Sequence, residues 1–212
     1  MRKIILILVA VFSFTSFLNA QDETNDNREQ LQFGLKLGGN YSNVYDTEGE
    51  DFRADGKFGV AFGAFLSIPI STFMGIQPEI LVSQKGFQAT GSFLGSPYKF
   101  TRTTTYLDIP LFFTISPSEY IKIMAGPQFS YLMKQKDEFT SSAFSYLQEE
   151  EFSNDNIRKN TLGFALGADI NLNQIVIGAR AGWDFMSNKG DGTSESPRYK
   201  NIWYQATIGY RF

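Results

Sequence analysis

Residues 201–212 read NIWYQATIGYRF. Ile202, Tyr204, Ala206, Ile208, Tyr210 and Phe212 fall on one parity, and Asn201, Trp203, Gln205, Thr207, Gly209 and Arg211 on the other. A period of two sends successive side chains to opposite faces of a β-strand. This strand therefore has an apolar face and a second face that carries its only charge. Seven further stretches repeat the pattern, at 33–44, 57–70, 73–87, 103–115, 120–133, 161–172 and 175–185. With 200–212 they make eight strands, each at or above the roughly 9–11 residues a tilted strand needs to cross a bilayer core.

The faces differ in charge. On one parity stand Leu35, Leu37, Phe62, Leu66, Ile80, Leu111, Ile123, Leu166 and Ile177, with no charged residue among them. The other parity holds Lys36, Glu79, Lys85, Asp108, Lys122, Asp169, Arg180, Asp184 and Arg211, spaced by glycines such as Gly34, Gly63, Gly126, Gly167 and Gly178. An Arg or Lys on the lipid face at mid-membrane costs roughly 2–4 kcal/mol. Five cations and four anions around a narrow axis can instead neutralise one another, and eight strands leave an interior just wide enough for side chains to fill. The pattern predicts an all-β fold, an eight-stranded antiparallel up-and-down transmembrane β-barrel, apolar outside and plugged inside by a lumenal ionic network.

The connections alternate in length. Short turns are predicted at 71–72, 116–119 and 173–174, and long polar loops at 45–56, 88–102, 134–160 and 186–199. Outer-membrane barrels have short periplasmic turns and longer extracellular loops, which sets both termini on the periplasmic side. Tyr41, Phe58, Tyr131, Trp183, Phe185 and Tyr204 would form the outer aromatic girdle, and Phe33, Phe113, Tyr210 and Phe212 the periplasmic one. Pro69, Pro78, Pro110 and Pro127 fall inside predicted strands, where proline removes a ladder hydrogen bond. They are read as bulges or pinned strand ends on one side of the barrel.

Residues 1–20 carry Arg2 and Lys3, an apolar stretch over 4–14 and a small-residue end at Ala20, the pattern of a secretory signal peptide. Residues 21–30 are polar and acidic and read as disordered, within a periplasmic leader over 21–32, leaving 33–212 as the barrel domain. Removing Arg2 and Lys3 takes the formal net charge from −3 to −5. With no basic stripe, nucleic acid is not an expected partner. Beyond the signal there is no apolar run of roughly 18 residues, and a closed barrel is the other way to satisfy every backbone group in lipid.

The chain has no cysteine and no histidine. That excludes a disulfide framework and thiolate chemistry, and removes the commonest general base and metal ligand. No enzyme and no cofactor are expected. Residues 134–160 hold Phe139, Phe144, Tyr146, Leu147 and Phe152 beside Glu149, Glu150 and Glu151. These aromatics either contact an extracellular or envelope protein partner or pack back onto the rim. The acids there, with Asp155, and the stretch 188–195 lack the glycine and ligand spacing of a calcium loop and are read as solvated. A soluble lipocalin-like barrel has the same strand number with the faces inverted. The aromatic rims, the terminal Phe212 and the glycine-plus-ion face favour the membrane instead.

Four motifs and the C-terminus resemble those of one family. They are Gly34-Leu35-Lys36-Leu37-Gly38-Gly39-Asn40-Tyr41-Ser42-Asn43, Gln77-Pro78-Glu79-Ile80-Leu81-Val82-Ser83-Gln84-Lys85-Gly86, Tyr106-Leu107-Asp108-Ile109-Pro110-Leu111 and Ala125-Gly126-Pro127-Gln128, ending in Gly209-Tyr210-Arg211-Phe212. In these the chain is similar to the Bacteroidetes outer-membrane β-barrel proteins labelled porin-family or PorT-like, with Asp108 where Glu is common and Val82 where an aromatic is common. The resemblance implies an eight-strand barrel of the OmpX/OmpA type in the cell outer membrane, surrounded by outer-membrane lipid. It also implies that Ile208, Tyr210 and Phe212 form the signal read by the barrel-assembly machinery. The functional expectation is a non-enzymatic barrel that is structural or binds partners through its extracellular loops. The alternatives are a PorT-like component of a secretion machinery, or a small passive porin, against which the strand number argues.

Overall fold

The computed structural model describes residues 26–45, 54–93, 96–141, 145–151, 158–188 and 199–212. Residues 1–25, which hold the expected signal peptide and the start of the expected leader, lie outside them, as do Phe144 and Phe152. Nine strands occur among the described residues: β1 (Gln32–Tyr45), β2 (Asp55–Ser71), β3 (Met74–Phe93), β4 (Ser96–Ile115), β5 (Ile121–Ser141), β6 (Ser145–Glu151), β7 (Asn160–Leu172), β8 (Ile175–Asp184) and β9 (Lys200–Arg211). Eight of them close a ring, β1-β2-β3-β4-β5-β7-β8-β9 and back to β1, with every neighbouring pair antiparallel. The closing seam pairs β1 with β9 from Gly34↔Arg211 to Tyr45↔Lys200. The Phe212 amide extends it by donating to the Phe33 carbonyl at 2.9 Å.

The ninth strand corrects the expectation of an irregular loop over 134–160. Residues 121–131 of β5 pair with β7, and residues 134–140 pair with β6. The predicted loop 88–102 is likewise a continuing hairpin, with β3 and β4 in register as far as Phe93↔Ser96. β3, β4 and β5 are 20, 20 and 21 residues long, about twice what a bilayer crossing needs. Outside the hydrocarbon an apolar face is no longer required, so alternation fades while pairing continues to satisfy the backbone. The Thr-rich run Thr101, Thr103, Thr104 and Thr105 suits a pleated strand in water. The result is a four-stranded sheet, β3–β4–β5–β6, standing beyond the extracellular rim.

At the other rim the connections are tight. Asn173 and Gln174 alone join β7 to β8, and Asn173 has φ 55°, a left-handed conformation that asparagine tolerates. The turn between β2 and β3 is Thr72-Phe73, one residue later than predicted. The bulge reading of the prolines applies to Pro69, which sits at a register shift between Pro69 and Ser71. At Pro78, Pro110 and Pro127 the register does not shift, and the other shifts of these ladders lie at Gly56/Ala61 and at Thr105/Tyr106. Beside them the ladder skips residues, passing from Phe65↔Glu79 to Ile68↔Ile76, from Pro78↔Leu111 to Leu81↔Asp108, and from Pro110↔Gln128 to Phe113↔Ala125. A residue without an N–H drops its bond and leaves the register intact.

Residues 26–30, at the end of the stretch 21–30 expected to be disordered, instead take up a defined turn. Asn27–Glu29 form a 3-10 turn capped by Asp26, whose side chain accepts from the Arg28 amide at 2.9 Å. The turn rests on the periplasmic rim: the Arg28 guanidinium lies 5.3 Å from the Phe73 ring centre, and the Thr72 hydroxyl donates to Glu29.

Candidate functional site

The barrel buries polar side chains and exposes apolar ones. Leu37, Phe62, Leu111, Ile123, Leu166, Ile177 and Ile208 are exposed on the outer wall, while Lys36, Glu79, Lys85, Asp108, Lys122, Asp169, Arg180, Asp184 and Arg211 are all buried in the lumen. Strand alternation sets this sidedness, and the lumenal charges form a chain of four, a pair, and three charges without an ion pair among the described residues, Lys122, Asp184 and Arg211.

The periplasmic-side cluster is a chain of ion pairs. Lys36 Nζ donates to Glu79 Oε1 at 2.6 Å, and Arg180 Nη2 reaches the same oxygen at 3.5 Å. Arg180 then makes a two-pronged contact with Asp169, Nη1 to Oδ1 at 2.7 Å and Nη2 to Oδ2 at 3.1 Å, the geometry that guanidinium and carboxylate favour. Glycine makes room for it. A Cβ on Gly178 would come within 2.6 Å of Asp169 Oδ1, and one on Gly167 within 2.4 Å of Arg180 Cδ. Gln77 links the chain to Lys122 by donating to Glu79 Oε1 at 2.8 Å and accepting from Lys122 Nζ at 3.0 Å. Glu79 Oε2 and Arg180 Nε are buried without a partner among the described residues.

The extracellular-side cluster is smaller. Lys85 Nζ donates to Asp108 at 3.0 Å, and the Ser130 hydroxyl donates to the same carboxylate at 2.5 Å. Asp184 accepts from the Asn201 amide at 2.6 Å. Lys85 also lies over the rings of Tyr106 and Trp203, at 4.9 and 5.2 Å from their centres.

An apolar plug separates the clusters, and the sequence reading missed it. Phe112, Met124, Ala165 and Trp203 form one buried cluster. Phe112 touches the lower network, its ring centre 5.5 Å from the Arg180 guanidinium, and Trp203 touches the upper one through Lys85. Phe65, Leu81, Leu132 and Val176 are buried on the same face. Each stands on the charged parity of its strand, a signal that was present in the sequence. Above the plug, Arg102 makes a two-pronged pair with Asp137 and donates to the Tyr199 hydroxyl at 3.2 Å, tying the start of β9 to the outer sheet.

A closed ring of eight antiparallel strands with a lipophilic outside and an ionic inside is the architecture of an outer-membrane barrel. A family model described as outer membrane protein beta-barrel domain matches residues 19–189. The chain belongs to that family. It is a protein of the outer membrane. The outer membrane barrel is similar to several solved structures. The attachment invasion locus protein Ail of Yersinia pestis is 14% identical, covering 85% of this chain and 98% of that one, with a TM-score of 0.46. Neisserial surface protein A is 9% identical, covering 85% and 97%, with a TM-score of 0.49. OprG of Pseudomonas aeruginosa is 14% identical, covering 87% and 97%, with a TM-score of 0.42. No curated protein matches the chain in sequence.

The remaining predicted residues sit at the two rims. Ile208, Tyr210 and Phe212 are exposed on the outer wall along the last turn of ladder, with Tyr210 and Phe33 flanking the Phe212 ring. Phe139 stacks on Tyr98 of β4 with ring centres 5.4 Å apart, so it braces the outer sheet. Tyr146 of β6 is paired in register with Phe139.

Proposed function

We propose that this outer-membrane barrel is non-enzymatic and non-conducting, and presents its outer sheet to a protein partner. The observation that carries the reading is the filled lumen. Lys85, Phe112, Met124 and Leu132 are each at most 2% exposed, and ion pairs and an apolar plug occupy successive levels of the axis. A water-filled pore needs far more strands, which disfavours a passive porin. Planar-bilayer recording of the purified protein is expected to give no steady conductance, and a large stable pore overturns the proposal.

Partner binding is supported by the sheet β3–β4–β5–β6, in which β6 pairs only with β5 among the described residues. An edge strand leaves a row of backbone donors and acceptors open to an added strand. Photocrosslinkers at Tyr146 in whole cells should capture an envelope or extracellular protein, whereas probes on the outer wall at Leu166 should not. The motifs shared with PorT-like barrels support a second reading, a component of a secretion machinery; unchanged export in a deletion strain dismisses it. In either reading residues 1–20 direct export, and Ile208, Tyr210 and Phe212 are offered to the barrel-assembly machinery.

A further inference from the structure

The end of the leader covers the periplasmic mouth. Arg28 and Gln32 close over a space of about 20 Å³, room for a single water, whose walls include Thr114, Lys122 and Arg211. The turn Asn27–Glu29 holds its place through side chains. Arg28 stacks on Phe73 and donates to the Ser116 carbonyl at 3.5 Å, and Glu29 accepts from the Thr72 hydroxyl at 2.5 Å. The leader thereby bridges the connection between β2 and β3 and the one between β4 and β5. Its backbone hydrogen bond, from the Glu29 amide to the Asp26 carbonyl, is internal. Contacts that are few, made by side chains and open to water mark a segment that opens locally at small cost.

The chain between this turn and β1 is suited to swing. Gln30 is extended, with φ −102° and ψ 144°, and the Leu31 side chain is exposed. Gln32 is fixed, because it accepts from Arg211 at 3.1 Å and is paired with Ser67 of β2. Rotation at Gln30 and Leu31 therefore lifts the turn and leaves the barrel ladder untouched. The lumen beneath favours that movement. Lys122 and Arg211 are buried, yet neither has a carboxylate within ion-pair distance among the described residues, although Glu119 stands in the same wall. Lys122 donates to Ser67 and Gln77, and Arg211 to Gln32 and the Asn173 carbonyl. Keeping two such cations from water is costly, and water admitted at the mouth relieves that cost. The rim contacts of Arg28 and Glu29 oppose it.

We propose that the leader turn is a latch on the periplasmic mouth. Closed, it keeps periplasmic solutes from the lumen. Released, it swings on Gln30 and Leu31 and opens the space around Lys122 and Arg211 to water. The latch lies at the opposite end of the molecule from the outer sheet and works whatever that sheet binds.

The chain has no cysteine, so one introduced thiol reports on one position. Thr114→Cys places it in the wall of the covered space, where the native residue is 2% exposed. With the full chain in nanodiscs, its reaction with a small water-soluble methanethiosulfonate should be slow. Arg28→Ala, or removal of residues 26–29, should speed it at least about tenfold, the population change expected when a cation–π contact and a hydrogen bond to a charged group are lost together. Thr140→Cys, exposed in the outer sheet, should react at one rate with or without the turn. The urea midpoint in lipid vesicles should not move. The proposal is overturned if Thr114→Cys reacts equally fast in both backgrounds, or if Thr140→Cys accelerates in step with it. It is overturned too if the midpoint falls as for loss of a buried pair, because the turn would then brace the barrel instead of covering its mouth. Should Thr114→Cys fail to fold, Ser67→Cys gives the same reading from β2.

Discussion

In the periplasmic half of the lumen four charges form one chain, Lys36–Glu79–Arg180–Asp169, whereas in the extracellular half Lys85 meets Asp108 alone and Asp184 is held by the Asn201 amide. Both halves use the same residue types at similar depth. They differ in what each charge keeps if a partner is lost. In the upper half both carboxylates have a neutral donor besides the lysine, Ser130 for Asp108 and Asn201 for Asp184. In the lower half Glu79 also has a neutral donor, Gln77, but its partner Lys36 donates to Glu79 and, among the described residues, otherwise rests on the Phe65 ring at 5.0 Å, so losing the carboxylate leaves the ammonium without an acceptor. Neutral hydrogen-bond partners therefore decide how well a packed lumen tolerates loss of a charge.

The most severe way to break this comparison is Glu79→Ala. It removes the carboxylate shared by Lys36, Gln77 and Arg180. Removing one partner of a buried ion pair typically costs about 3–5 kcal/mol, and this substitution should fall in that range. Urea titration of the folded fraction in lipid vesicles measures it. A loss below about 1 kcal/mol, the scale of an exposed pair, would mean that water enters the periplasmic half freely.

Lys85→Met should cost less, about 2 kcal/mol, the value of a hydrogen bond to a charged group. Ser130 still serves Asp108, and a methionine sulfur can rest against the rings of Tyr106 and Trp203 that the ammonium now covers. Adding Asp108→Asn should recover most of the loss, because a buried pair replaced as a whole is often near neutral. The same vesicle titration checks both. If Lys85→Met proves as damaging as Glu79→Ala, backing by neutral donors is not what separates the halves.

The sidedness behind both clusters was legible because it obeys a strict period. Lys36, Asp169 and Arg180 alternate with Leu37, Ile170 and Ala179, and a one-residue slip would place every charge in lipid. What the period could not reveal lay where the two-solvent rule stops applying. In 88–102 an apolar outer face is no longer required, so Gln88 and Thr101 continue a ladder that hydropathy no longer marks. Glu149 and Glu151 looked like a solvated run, yet their strand positions lie opposite Lys136 and Lys134 on β5, a cross-strand register that one segment read alone cannot show. Phe112, Met124 and Trp203 were passed over for the opposite reason. They are apolar residues on the ionic parity, and a rule of polar-inside counts them as exceptions when they are the plug.

The smallest effect sits at the end of the leader, where the ion pair is open to water. The hydrogen bonds from the Arg28 side chain and amide hold the Asp26 carboxyl below its ordinary value of 3.8. A carboxylate whose folded pKa is depressed adds stability that is complete above the unfolded value and disappears as the pH falls through the folded one. The capped turn should therefore persist at neutral pH and loosen only below about pH 4. The Arg28 and Glu29 amides, which donate to the Asp26 side chain and carbonyl, report it as shift changes whose midpoint lies below that of a free aspartate. Asp26→Asn should abolish this low-pH step while leaving the turn in place, because an asparagine side chain still caps a helix start. The global unfolding midpoint should stay unchanged, in contrast to Glu79→Ala. A large global loss from Asp26→Asn would place the leader among the elements that hold the barrel shut, and the difference between buried and solvated pairs would then fail to rank the ends of this molecule.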